Sequence, residues 1–401
     1  MKNNIIYKTN FSNLHFNKQK INLDTKKINI FLEEIYKNSL EKDNLFNSLN
    51  GNLKPNIRLK DKQKYKKFKN IVIIGMGGST MGVDAIHSFL KHKIKKNILF
   101  LDNLDEFQFK NLVNLKKTLF LIISKSGNTI ETLTNLSLIK KNTFSKKNTI
   151  IITERKNNAL VEFSKKNSIK IIDHQEYIGG RYSVLSEVGM IPAFLMGLKI
   201  INFKKNLNLL FKRKKKLLQT NVSKLSQIYL TKKINSIIFF NYDKRLIKFS
   251  YWCQQLIAES LGKKKLGLLP IVSVGPKDHH SLLQLYLDGP NDKIFYIMSA
   301  KSSLNLKIKN NYFGKKYDHI NKKKLSEIIL AQKNAFIKVL KNKKIPFREI
   351  HINKFTEETI GELFGYFMLE TILLGKLIKV NPFDQPAVEL VKIYTKKGLK
   401  N

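Results

Sequence analysis

The chain carries a single cysteine, Cys253, in 401 residues. That excludes an intrachain disulfide and suits a reducing compartment, so a cytoplasmic location is expected. Long apolar runs are missing as well. None approaches the roughly 18–20 residues that a membrane-spanning helix needs, and no membrane partner is expected. Met1 to Lys20 is polar and basic without a continuous apolar stretch, which does not read as a secretory leader. The eight histidines and one cysteine show no Cys-x-x-Cys or His-Glu-x-x-His spacing. Adjacent residues such as His279 and His280 rarely chelate one ion together. No metal or cofactor is expected.

Arginine is the other scarcity. The formal net charge is +44, yet only Arg58, Arg155, Arg181, Arg213, Arg245 and Arg348 are arginine, against 68 lysines. A protein that reads DNA needs arginine, whose planar fork grips guanine and phosphate in pairs. Lysine spread along the chain reads instead as a solvated coat, so nucleic acid is not an expected partner. Its field still draws in small anions.

What is present is a globular chain with 42% hydrophobic residues and 26 Phe, long enough for two or three domains. From Asn70 onward, strands are predicted at Ile71–Gly75, Asn97–Asp102, Thr118–Ser124, Thr149–Thr153 and Ile169–Asp173. Helices are predicted between them at Met81–Lys91, Leu104–Leu115, Ile130–Lys140 and Ala159–Lys166. Short apolar runs alternating with helices predict a doubly wound α/β domain around a parallel sheet. A second series follows, with strands at Ser236–Phe240, Pro270–Val274, Lys293–Met298 and Phe347–Ile352. Long helices at Lys323–Lys341 and Thr356–Leu377 flank its last strand. Leu and Phe recur at helical spacing in the lysine-dense Phe203–Leu218, which predicts a connecting helix. The expected organisation is an N-terminal helical and extended segment (1–50), a first α/β domain (51–200), a connecting helix (201–225), a second α/β domain (226–380) and a C-terminal helix (381–401) packing back on the active site.

Two strand-to-helix turns carry candidate chemistry. Gly75-Met76-Gly77-Gly78-Ser79 lets backbone approach a ligand at a helix start. A dinucleotide fingerprint would need glycine where Thr80 stands, so that pattern is broken, and a purely structural turn stays open. Ser124-Lys125-Ser126-Gly127-Asn128-Thr129 offers three hydroxyls, one lysine and exposed backbone N–H groups before a helix. It has more hydroxyls than an N-cap requires and reads as a phosphate cup.

Glu259 stands four residues after Gln255, so on a helix both side chains share one face and reach one ligand. Its apolar neighbours Leu256, Ile257 and Ala258 predict partial burial, which suits a carboxylate base for proton transfer. Arg181, one of few arginines, is flanked by Gly179 and Gly180 and is placed to stabilise a developing oxyanion.

The two turns together resemble the sugar isomerase (SIS) domain, whose Ser/Thr-rich turn holds a sugar phosphate. Gly179-Gly180-Arg181-Tyr182-Ser183 resembles a signature of the glucose-6-phosphate isomerase family. So do Gln255-x-x-x-Glu259 followed by Ser260 and Gly262-Lys263, and His280-Ser281-Leu282 with Gln284 and Gly289. Asn381, Phe383-Asp384-Gln385, Val388-Glu389 and Lys392 are similar to its C-terminal signature. The tract Pro276-Lys277-Asp278 departs from the family's commoner Thr-Asn-bearing version.

The resemblance implies two doubly wound SIS-type subdomains and the interconversion of glucose 6-phosphate and fructose 6-phosphate through a cis-enediolate. Glu259 would be the base, Arg181 the electrostatic partner, and His280 with Lys392 the groups that open the sugar ring. Gly78, Ser79, Ser124, Lys125, Ser126, Thr129, Gln255 and Gln385 would bind the sugar phosphate. His280 would reach the site across a homodimer. A non-catalytic SIS-domain sensor and an isomerase that also takes mannose 6-phosphate are the alternatives, since fold alone does not fix activity.

Overall fold

Runs rich in isoleucine, valine and phenylalanine form two five-stranded sheets, as residues of that kind favour a pleated, buried surface. The computed structural model describes residues 4–11, 14–41, 43–51, 64–110, 112, 117–302, 304, 306–310 and 312–400. In chain order the strands are β1 (Ile5–Asn10), β2 (Asn70–Gly75), β3 (Asn97–Leu101), β4 (Thr118–Ile123), β5 (Thr149–Thr153), β6 (Lys170–Asp173), β7 (Ser236–Asn241), β8 (Leu269–Val274), β9 (Lys293–Ala300) and β10 (Phe347–Ile352).

The helices of the first half are α1 (Lys18–Leu40), α2 (Met81–Leu90), α3 (Glu106–Lys110), α4 (Ile130–Ser137), α5 (Ala159–Asn167) and α6 (Glu187–Leu195). Those of the second half are α7 (Leu207–Phe211), α8 (Lys215–Thr231), α9 (Ile247–Leu261), α10 (Leu283–Asp288), α11 (Leu325–Asn342), α12 (Glu357–Leu377) and α13 (Glu389–Gly398).

The first sheet runs β3-β2-β4-β5-β6, parallel throughout. The second runs β1-β10-β9-β7-β8 and is parallel except for β1, which lies antiparallel on β10. Both parallel series wind the same way. The chain begins at a central strand, β2 or β7, pairs outward to β3 or β8, then crosses back to β4 or β9. Ligands in such sheets sit outside the carboxyl ends of the strands where the winding reverses. In the first sheet that point lies between β2 and β4, whose ends carry the glycine turn and the Ser/Thr cup. β4 is buried at all six positions, as a central strand covered on both faces must be.

Between these units α12 is buried along nearly its whole length and packs against α1, α2, α8 and α9. It starts at Thr356, whose side chain accepts from the Thr359 N–H. Gly361 permits the closest approach, because a Cβ there would stand 1.8 Å from the Phe203 carbonyl oxygen.

Four expectations change. The connecting helix over 201–225 is broken into a 3₁₀ turn (Ile200–Lys204), α7 and α8. Lys212-Arg213-Lys214-Lys215-Lys216 would place like charges one helical turn apart, and these repel. Part of the N-terminal segment joins the second sheet as its edge strand β1. The C-terminal segment divides: residues 381–385 pack on the site described below, whereas α13 has no buried residue and does not pack back on the site. Pro386 opens a new 3₁₀ turn directly after Gln385 and redirects the chain. The helix predicted at Leu104–Leu115 is the shorter α3, and residues 111 and 113–115 lie outside the described residues.

One buried ion pair ties α12 to the second sheet. Arg348 on β10 is 1% exposed and donates from both terminal nitrogens to Glu370 at 2.8 and 2.9 Å. Tyr296 and Tyr366 accept its remaining terminal N–H groups. Breaking such a pair leaves an uncompensated buried charge. Glu370→Gln is expected to destabilise the fold by about 3–5 kcal/mol, measured as a lower urea midpoint with an unchanged slope.

Candidate active site

The two turns at the reversal point of the first sheet meet a third. Gly77 takes a left-handed conformation (φ +53°), which starts the 3₁₀ turn Gly77–Ser79. A Cβ on Gly78 would lie 2.3 Å from the carbonyl carbon of Gly180. The glycine turn therefore touches the Gly179-Gly180-Arg181 turn backbone to backbone. Ser79 is buried at this contact, with its N–H on the Met76 carbonyl.

Beside it the Ser124–Thr129 cup closes on itself. Ser124 Oγ lies 2.9 Å from Thr129 Oγ1 and accepts from the Gly127 N–H at 3.2 Å. Ser126 Oγ accepts from the Asn128 N–H. The first N–H groups of α4 have no intrahelical acceptor, which makes the rim of the cup an anion seat. Lys125 donates to the Glu176 carbonyl at 2.7 Å and stands 3.7 Å from Glu154, so it flanks the cup. Burial lowers its pKa from the ordinary lysine value. A cavity of about 500 Å³ opens here, with Lys125, Gly179 and Phe383 in its wall.

Arg181 is 2% exposed and spends all five of its N–H donors. Its Nε donates to Ser260 Oγ at 2.8 Å. One terminal nitrogen donates to Glu259 at 3.1 Å and to Gln385 Oε1. The other donates to the carbonyls of Pro382 at 2.7 Å and Asp384 at 3.0 Å. The second Glu259 oxygen accepts from Gln255 Nε2 at 3.0 Å, one helical turn earlier on α9. Glu259 is 29% exposed on its side chain, in keeping with the partial burial predicted for it. Gln255 Oε1 is buried without a hydrogen-bond partner among the described residues, while the Nε2 of the same amide lies beside Gly77.

Lys263 completes the cluster. Its ammonium caps the carbonyl end of α9 by donating to the Glu259 and Ser260 oxygens at 2.8 and 2.9 Å, where a helix favours a cation. It also donates to the Asn381 carbonyl at 2.7 Å and pairs with Asp384 at 3.2 Å. The segments Glu259–Lys263 and Asn381–Gln385, 118 residues apart between Lys263 and Asn381, are one hydrogen-bonded unit.

The structure thus brings together Arg181, Gln255, Glu259 and Gln385, with Gly78, Ser79 and the cup alongside. It does not bring His280 or Lys392 to them. His280 is exposed at the end of β8, and its ring makes no hydrogen bond with the cluster among the described residues. Its neighbour His279 is the engaged one: Nε2 lies 2.7 Å from the Tyr242 hydroxyl, and the ring packs on Phe240 and Phe336. His279 anchors the loop and leaves His280 available. Lys392 pairs with Glu389 on the exposed α13.

Sequence reasoning gave no role to Lys263, although a lysine after a helix-ending glycine is a recognisable cap. It also missed His174, which is 3% exposed at the end of β6 near Lys125. Among the described residues no group of three or more His, Cys, Asp or Glu side chains is arranged to hold a metal ion, and no helix is long and apolar enough to cross a membrane.

Comparison with known proteins identifies the family and the fold. The family described as Phosphoglucose isomerase matches residues 60–401. A Methanococcus maripaludis protein named "Probable glucose-6-phosphate isomerase" is 36% identical over 366 residues, 86% of this chain and 81% of the relative. A hypothetical protein of Thermus thermophilus has the same fold, with a TM-score of 0.84 at 22% identity over 99% of this chain and 100% of that one. A Chlamydia trachomatis glucose-6-phosphate isomerase superposes with a TM-score of 0.71 at 19% identity, over 96% of this chain and 75% of that one. Fold and relatives together define a two-sheet α/β isomerase. The chain belongs to the phosphoglucose isomerase family.

Two outcomes are expected from this geometry. Gly78→Ala must displace the Gly180–Arg181 backbone, and misplacement on the order of 1 Å costs about 100-fold in turnover. Steady-state kinetics on the folded variant measures it. The second outcome concerns His174, whose Nε2 has no partner and whose pKa burial lowers to about 4. The unfolded chain therefore binds the proton first, and folding stability falls as pH drops from about 6.5 to about 4, by about 3 kcal/mol in all. His174→Phe, which has nothing to protonate there, is expected to show a shallower loss over that window in urea unfolding at stepped pH.

Proposed function

We propose that this protein interconverts glucose 6-phosphate and fructose 6-phosphate, as a cytoplasmic homodimeric enzyme of glycolysis and gluconeogenesis. The observation that carries this reading is the Gln255–Glu259–Arg181–Gln385 cluster beside the cup. A sugar-phosphate sensor needs the cup alone and has no use for a carboxylate held between a guanidinium and an amide.

The phosphate sits on the cup formed by Ser124, Ser126 and Thr129, with Lys125 at its flank and Gly78 and Ser79 beside it. The sugar chain then extends toward Glu259. Ring opening moves a proton from the anomeric hydroxyl to the ring oxygen as the bond between C1 and that oxygen breaks, and His280 and Lys392 serve that transfer. Glu259 takes the C2 proton of the open-chain aldose, and the electron pair moves through C1 to its carbonyl oxygen, giving a cis-enediolate. The hydroxyl proton on O2 passes to O1, and as the C2 carbonyl forms the same carboxyl returns its proton to C1, which yields the ketose. One base reaching both carbons is enough, so no cofactor enters the step.

Arg181 keeps its positive charge beside the developing oxyanion in a site where little water screens it. Gln255 and Gln385 orient the sugar hydroxyls, and the unpartnered Gln255 oxygen is free to accept one. His280 reaches the site from the second copy of the chain. Its exposure and the role of His279 in anchoring its loop support that route.

A coupled assay for glucose 6-phosphate formed from fructose 6-phosphate tests the reading. The wild type is expected to turn over, and Glu259→Gln to lose on the order of 10²–10⁴-fold in kcat. An inactive wild type would sink the isomerase reading. Full activity in the variant would instead sink the choice of base.

A further inference from the structure

We propose that Ser260 and Tyr182 are positioning residues for the isomerisation, joined with Arg181 and Pro382 in a closed ring of hydrogen bonds that sets the orientation of the guanidinium. The inference rests on the isomerase reading above and assigns a role to two residues that do not touch the sugar.

The polarity of the ring follows from its ends. Arg181 Nε only donates, and the Pro382 carbonyl only accepts. Ser260 Oγ lies 2.8 Å from Arg181 Nε and 2.8 Å from the Tyr182 hydroxyl, which lies 3.1 Å from the Pro382 oxygen. Each hydroxyl has one hydrogen, so a single assignment satisfies every contact. Arg181 Nε–H donates to Ser260, Ser260 donates to Tyr182, and Tyr182 donates to Pro382. Arg181 closes the circuit by donating from a terminal nitrogen to the same Pro382 oxygen at 2.7 Å.

Arg181, Tyr182 and Ser260 are 2%, 2% and 0% exposed, so water does not replace a lost member. Burial also raises the Tyr182 pKa, which keeps its proton in place for donation.

The consequence is geometric. A guanidinium is planar, so fixing Nε and one terminal nitrogen fixes the third. The nitrogen left over is the one that faces Glu259 and Gln385. Ser260 is the residue next to Glu259 on α9, and Tyr182 is the residue next to Arg181. The ring therefore couples the orientation of the cation to the helix that carries the base. A cation free to roll about its own Nε would keep its charge in the site and lose its aim.

Ser260→Ala and Tyr182→Phe each open the ring without removing a charge. In the coupled assay each is expected to lower kcat about 10- to 100-fold, as misaligned groups do. The KM for fructose 6-phosphate should stay within about threefold, because the phosphate cup is untouched. The double variant should be no worse than the poorer single, since one break already opens the circuit.

Tyr182→Phe removes one oxygen and keeps the ring packed against Phe383, so it reads the circuit if Ser260→Ala does not fold. A folded single variant with kcat within about threefold of wild type overturns the proposal. So do multiplicative losses in the double variant, and so does a lowered melting temperature with kcat unchanged. A wild type without isomerase turnover sinks the underlying reading instead.

Discussion

A charged group taken almost completely out of water has to be paired, and Arg181 shows what that requirement does to a site. At 2% exposure the guanidinium would be costly with even one donor idle. Its five N–H groups are met by two separate pieces of chain: the glutamate of α9 with the serine after it, and two backbone carbonyls near the C-terminus with a glutamine beside them. Neither of these pieces can move far without stranding a donor. The approach of Gly78 to Gly180 follows from the same constraint, because the turn that delivers Arg181 must lie flush against the glycine turn.

The residues that crosslink the site are thus as decisive as those proposed to act on the sugar. Lys263 holds both the carbonyl end of α9 and the Asn381–Asp384 segment, so it fixes from below what Arg181 fixes from above. Phe383, partly exposed, lies between them with its ring edge-on to Phe46 and tilted against Tyr182. The polar links give direction and the aromatic ring gives volume, so the C-terminal segment reaches the site through residues 381–385 even though α13 leaves the body of the protein.

Much of this was legible in the residues. The parallel sheets follow from unbroken apolar runs such as Leu119–Ile123, which only a strand covered on both faces can bury. The pairing of Gln255 with Glu259 follows from helical spacing, and the structure places both on one face of α9. Other parts were not legible, for physical reasons. β1 buries little over its six residues, and what makes it a strand is the free edge of β10, a partner 339 residues away at the Thr9–Arg348 pair. The ring through Ser260 and Tyr182 depends on which hydroxyls face one another across turns, and no local spacing records that. His174 is ordinary in sequence and unusual only because the fold closes over it.

Scarcity turned out to be the more informative half of the composition. Lysine is so abundant that a lysine in a motif says little by itself. Arginine is rare, and at three of its positions the structure uses the planar fork. Arg348 holds Glu370 through both terminal nitrogens inside the core. Arg245 grips Asp243 in the same bidentate way while its guanidinium lies 3.5 Å from the centre of the Phe355 ring. Arg181 joins the base to the C-terminal segment. A lysine at any of these three places would bring the charge but lack the fixed set of directions that each network uses. In a chain whose surface is saturated with one kind of cation, these three exceptions stand where geometry rather than charge alone is required.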